Sequence, residues 1–140
     1  MKYSTIIFIL LITLKLSAQK QDSILTESQV TLEEAFANAQ REALTGKQEK
    51  AIEMFETLYK ENRTNAAIAY ELAQLYAIKK DNVLIDKYAK TAVENAPNNI
   101  WITEFYADFL LNNNRPEDAL LYYKKLIALS PGNAKYYQNA

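Results

Sequence analysis

The stretch NRPEDALLYYKKLIALSPGN, residues 114–133, decides the fold. It opens on a polar turn, runs through an apolar segment of helical length and stops at Pro131-Gly132. Proline suits the first turn of a helix, where its missing N–H leaves no bond unmade, and Pro with Gly ends one. The same grammar stands one period earlier and again before that. Units begun at Leu32, Ala66 and Ile100 align position by position. The eighth residue is Ala39, Ala73 and Ala107, and the twentieth is Ala51, Ile85 and Ala119. The twenty-fourth is Phe55, Ala89 and Tyr123, and the twenty-seventh is Leu58, Ala92 and Leu126. The fifteenth, in the turn, is Gly46, Lys80 and Asn114, and the thirty-second is Arg63, Pro97 and Pro131.

Each position has a physical reason. Small residues at eight and twenty let the two helices of one hairpin approach closely. Positions twenty-four and twenty-seven fill the gap to the next hairpin. Gly or Asn at fifteen tolerates a left-handed turn. The pattern predicts helices over roughly 32–45, 48–62, 66–79, 83–95 and 100–112, with another from Pro116 to Pro131. Thr31 with Glu34 reads as a capping box opening the first of them. Each unit leaves one face apolar and must stack on a neighbour to bury it.

Composition agrees. The chain has 140 residues, 49% hydrophobic and 24% charged, with two Gly and three Pro. That is a folded, helix-favouring balance. The formal net charge of −1 offers no surplus to hold a phosphate backbone, so nucleic acid is not an expected partner. With no Cys and no His, disulfides, zinc–thiolate sites, thiol nucleophiles and imidazole bases are excluded.

The segment 1–18 stands apart. Lys2, an apolar run from Ile6 to Leu14 and the small pair Ser17-Ala18 read as a secretory signal peptide. The alternative is a membrane anchor, but Lys15 ends the run far short of the roughly 20 residues a spanning helix needs. An exported, cysteine-free chain points to a bacterial envelope, periplasmic or secreted, that meets the membrane only before cleavage. Residues 19–30 are polar and aperiodic and read as a flexible leader.

The repeat resembles the tetratricopeptide-repeat family, whose period is about 34 residues. The resemblance covers residues 32–133 as units 32–65, 66–99 and 100–133, and residues 134–140 look like the start of a fourth. Unit three matches through Ala107, Asn114, Ala119, Tyr123 and Pro131. Unit two matches through Leu72, Ala73, Tyr76, Ala92 and Pro97. Unit one matches through Ala39, Gly46, Ala51 and Phe55 and departs at Asn38, Glu42 and Arg63, as a polar end cap would. The implied fold is an all-α, right-handed solenoid of antiparallel helix pairs. A sel1-like or other helical-pair solenoid is the alternative. The stub AKYYQNA is either the opening of a longer array, the favoured reading, or a cover for the last helix.

No catalytic, cofactor or metal arrangement is legible. Glu33-Glu34, Glu117-Asp118 and Asp81 with Asp86 read as solvation and helix-start electrostatics. There is no calcium-loop spacing and no glycine-rich phosphate loop. In the family, the first helix of each unit lines a concave groove through positions two, five, nine and twelve. Carried over, these are Glu33, Phe36, Gln40 and Ala43, then Ala67, Tyr70, Gln74 and Ala77, then Trp101, Glu104, Asp108 and Leu111. The resemblance therefore implies a partner-binding groove built on Glu33, Phe36, Gln40, Tyr70, Gln74, Trp101, Glu104 and Asp108. It would take an apolar or basic peptide or helix and repel a terminal carboxylate. The other reading is that these aromatics are covered by the leader or pack between repeats. The expected function is a non-catalytic interaction scaffold, or the sensor or stalk region of a larger envelope protein.

Overall fold

A computed structural model describes residues 31–140, so the signal peptide and leader read at 1–30 lie outside the described residues. The chain divides after Asn38 into two units, and of the first only residues 31–38 are described. The described residues form helices and turns, with no strand among them. The helices are α1 (31–44), α2 (Gln48–Glu61), α3 (Ala66–Lys79), α4 (Asn82–Asn95), α5 (Ile100–Asn112), α6 (Pro116–Leu129) and α7 (Ala134–Gln138). From α2 on, helix starts recur at one fixed spacing: 48, 82 and 116 for one series, 66, 100 and 134 for the other. Thr31 is itself helical, so it stands inside α1 rather than at its cap.

The repeat extends to single backbone angles. Asn65, Asn99 and Asn133, the last residue of each unit, share φ near −80° to −90° and cap the helix that follows. Their side chains accept the N–H of Ile68, Ile102 and Lys135 at 3.2, 3.2 and 3.1 Å. This satisfies donors that the first turn of a helix otherwise leaves unpaired. At position fifteen, Gly46, Lys80 and Asn114 all take positive φ. Each closes the preceding helix with a paired bond to the last turn. For Lys80 these run from its own N–H to the Ala77 carbonyl and from Asp81 N–H to Tyr76, both 3.1 Å. The second helix of each pair ends at Asn62, Ala96 and Ser130, one residue before position thirty-two. Arg63 stands where the other units have proline, and the helix stops there all the same, with the Asn62 side chain bonded back to the Leu58 carbonyl at 3.0 Å.

Within Ala39–Ala140 each helix packs on its neighbour in sequence, most extensively in the hairpins α3–α4 and α5–α6. Ala39, Ala73, Ala107, Ala51 and Ala119 are fully buried where helices approach. Phe55, Ala89 and Tyr123 at position twenty-four are fully buried too, large and small residues sharing one repeat position. Adjacent hairpins are also bonded. Tyr76 donates to Glu56 at 2.7 Å and Tyr106 donates to Asp86 at 2.9 Å. Arg115 bridges Asp86 and Asp118 at 3.0 and 2.8 Å. Asn82 donates to Asn113 at 2.8 Å.

Candidate binding face

The odd-numbered helices α3, α5 and α7, with the part of α1 from Ala39, meet along one side of the second unit. Position nine of α1 reaches α3, where the Gln40 amide donates to Glu71 Oε1 at 2.7 Å. Tyr70 of α3 meets Phe105 of α5 edge to face, with centroids 5.4 Å apart. Tyr70 is half-buried, and burial, with Glu71 and Glu104 nearby, raises its phenol pKa above the usual range. Gln74 is half-buried beside these, while Trp101, at the start of α5, is 75% exposed. Of the residues carried over from the family, Glu33 and Phe36 belong to the unit that ends at Asn38. There Glu33 is exposed and Phe36 half-buried.

Glu104 and Asp108 are engaged from α7. Lys135 Nζ lies 2.7 Å from Glu104 Oε1 and 2.8 Å from Asp108 Oδ2. The hydrogen bonds to Asp108 and Glu104 hold the lysine pKa well above its ordinary value. Tyr136 donates to the other oxygen of Glu104 at 3.0 Å, and Tyr123 donates to Asp108. Burial, then that carboxylate, push the Tyr123 phenol up to about 12. The carboxylates therefore belong to a bonded cluster rather than standing free as anions. The groove residues named from the sequence include no base, and Lys135 alters that balance. It occupies position two of the fourth unit, one full period after Trp101, so the same register would have placed it.

Among the described residues no group of acids could hold a metal ion, and no helix is long and apolar enough to cross a membrane. What the face presents is a set of aromatic, amide and paired-charge side chains drawn from successive helices, with one large aromatic in solvent.

No family model and no curated protein matches the chain. Solved structures do. MamA of AMB-1 superposes with a TM-score of 0.70 at 19% identity, over 77% of this chain and 59% of its own. YrrB, described as a TPR protein with an unusual peptide-binding site, gives 0.67 at 21% identity, over 76% of this chain and 55% of its own. The first TPR of Spaghetti (RPAP3), bound to the HSP90 peptide SRMEEVD, gives 0.66 at 15% identity, over 76% of this chain and 85% of its own. The chain thus spans 59% and 55% of the MamA and YrrB chains it matches. The fold is that of the tetratricopeptide-repeat proteins.

Proposed function

We propose that this protein is a non-catalytic scaffold, exported to a bacterial envelope, that binds a peptide or helix of a protein partner across the face of α3, α5, α7 and the part of α1 from Ala39. The observation that carries the reading is Trp101, 75% exposed on that face, with Tyr70 and Gln74 on α3. A tryptophan left in water loses contact area that a partner would restore, and such residues dominate interface energetics. YrrB, with its peptide-binding site, and the peptide-bound RPAP3 domain support a peptide as the occupant. Because Lys135 offsets Glu104 and Asp108, apolar contact at Trp101 outweighs attraction for a basic segment. The expectation of an exported chain rests on residues 1–18 alone.

The test is crosslinking capture from the envelope fraction of the source organism, comparing the wild type with Trp101→Ala. The side chain is solvent-exposed, so the variant keeps its helices, which circular dichroism checks. A partner captured by the wild type and lost by the variant is the expected result. Equal capture by both would move the interaction to another face. Recovery of the protein from the cytoplasm at full precursor mass would overturn the export.

A further inference from the structure

A recess of about 350 Å³ opens away from that face, between α2 and α4. It is lined by Glu56, Tyr59 and Lys60 of α2, Arg63 of the following turn, and Lys87 and Tyr88 of α4. Three cations face one carboxylate, in a chain whose net charge is −1, so the local sign is not inherited from the composition. The carboxylate is already engaged, since Glu56 Oε1 accepts the Tyr76 phenol at 2.7 Å. The cations have no such anionic partner. Lys47 and Lys50 pair with Glu42, Arg115 with Asp86 and Asp118, and Lys135 with Glu104 and Asp108. No carboxylate among the described residues pairs with Lys60, Arg63 or Lys87.

The aromatic wall is fixed. Tyr59 meets Tyr88 edge to face with centroids 5.2 Å apart, and Tyr76 stacks on Tyr88 at 5.7 Å. Lys87 Nζ sits 4.5 Å from the centre of the Tyr88 ring and 3.4 Å from its phenol oxygen. Tyr88 is 4% exposed and Tyr59 half-buried, so the rings form a packed, partly dry surface beside long cationic side chains. An anion bound there would accept charge-assisted bonds from the guanidinium and ammonium groups. A flat apolar body attached to it would lie against Tyr59, which Tyr88, itself enclosed by Tyr76 and Lys87, holds in place. The volume falls in the range of small-molecule sites.

We infer that this recess binds a small phosphate ester with a flat, aromatic body. The probe is phenyl phosphate, followed by nuclear magnetic resonance on the full-length protein, with inorganic phosphate and phenol as separate titrants. Saturable shifts at Tyr59 and Tyr88 are expected, weakening as salt is raised. The variant Lys60→Gln/Arg63→Gln removes two exposed cations without reversing charge at the end of α2. It should weaken binding at least about tenfold, the equivalent of one charge-assisted bond. Lys124→Gln/Lys125→Gln, the same charge change on α6, should leave binding within about twofold. Phenyl phosphate should bind more tightly than either titrant alone. The inference is overturned if no saturable shift appears at Tyr59 and Tyr88 by about 10 mM, weak even for a fragment-sized ligand. It is also overturned if the two variants lose binding equally, which would mark general attraction to positive charge. Inorganic phosphate binding as tightly as phenyl phosphate would refute the aromatic body.

Discussion

Gly46, Lys80 and Asn114 stand at one repeat position with φ of 82°, 60° and 56°, and each costs the chain a different amount. Only glycine takes this angle freely, asparagine tolerates it, and a long side chain is strained there by roughly 1–2 kcal/mol. Lys80 accepts the strain because its N–H and that of Asp81 close α3 on Ala77 and Tyr76, and the hairpin α3–α4 depends on that turn. Lys80→Gly is therefore expected to stabilise the protein by about 0.5–1 kcal/mol, the relieved strain less the greater freedom glycine gives the unfolded chain. Gly46→Ala should destabilise it by about 1 kcal/mol. A Cβ there meets nothing within 4 Å, so the cost is conformational alone. Urea midpoints of the two variants should move in opposite directions at unchanged slope. Movement in the same direction would show that something other than φ controls the position.

At the scale of the element, α7 is the most revealing. It has five residues, too short to be helical alone in water, so its helix is held by what it touches. Tyr136 is 2% exposed and bonded to Glu104, Lys135 bridges two carboxylates of α5, and Asn139 donates to the Tyr123 phenol at 3.1 Å. Tyr136→Ala should cost about 3–5 kcal/mol, as for other buried aromatic truncations. It should also release α7, seen as lost hydrogen-exchange protection of the Tyr136 and Asn139 amides while α3–α6 stay protected. Retained protection would mean the charge bridge alone holds the helix. The sequence resolves this part of the molecule unevenly. The helices and their repeat register follow from Ala, aromatic and Pro positions, because those residues act through local geometry and close packing. The Asn caps recur at the same spacing, yet they add little to an alignment that Ala, aromatic and Pro matches already define. The partners of the candidate face were not legible. Gln40 with Glu71 and Glu104 with Lys135 are long-range pairs that depend on which rotamers neighbouring repeats admit. Tyr76 and Tyr106 make the same kind of bond from different repeat positions, so no single column of the alignment reveals it.

Across Ala39–Ala140 these tyrosines form a system. Tyr76, Tyr106, Tyr123 and Tyr136 are buried, and each donates its phenol to a carboxylate on another helix, Glu56, Asp86, Asp108 and Glu104 in turn. A repeat array is held by contacts between neighbours, so these bonds couple one helix to the next along it. Burial first, and the accepting carboxylate second, disfavour the phenolate in every case and raise the pKa. The sign of the linkage follows. In the unfolded chain tyrosine ionises near pH ~10, while the folded state keeps the proton. The stabilising effect is complete below that pH and is lost as the pH rises toward the folded values, which for Tyr123 is about 12. Alkaline titration followed by phenolate absorbance and by helical circular dichroism should set these phenols apart from the ordinary tyrosine of an unfolded chain. The buried four ionise later, and cooperatively with helix loss, because a phenolate facing a carboxylate in a dry contact breaks the join between helices. Tyr106→Phe removes one such proton and one bond together. It should lower stability at neutral pH by about 1–2 kcal/mol, the bond to a charged acceptor, and flatten the fall of stability above pH ~10. Ionisation of all the tyrosines near pH ~10 with the helices unchanged would show that the phenols are open to solvent and that apolar packing alone carries the coupling between repeats.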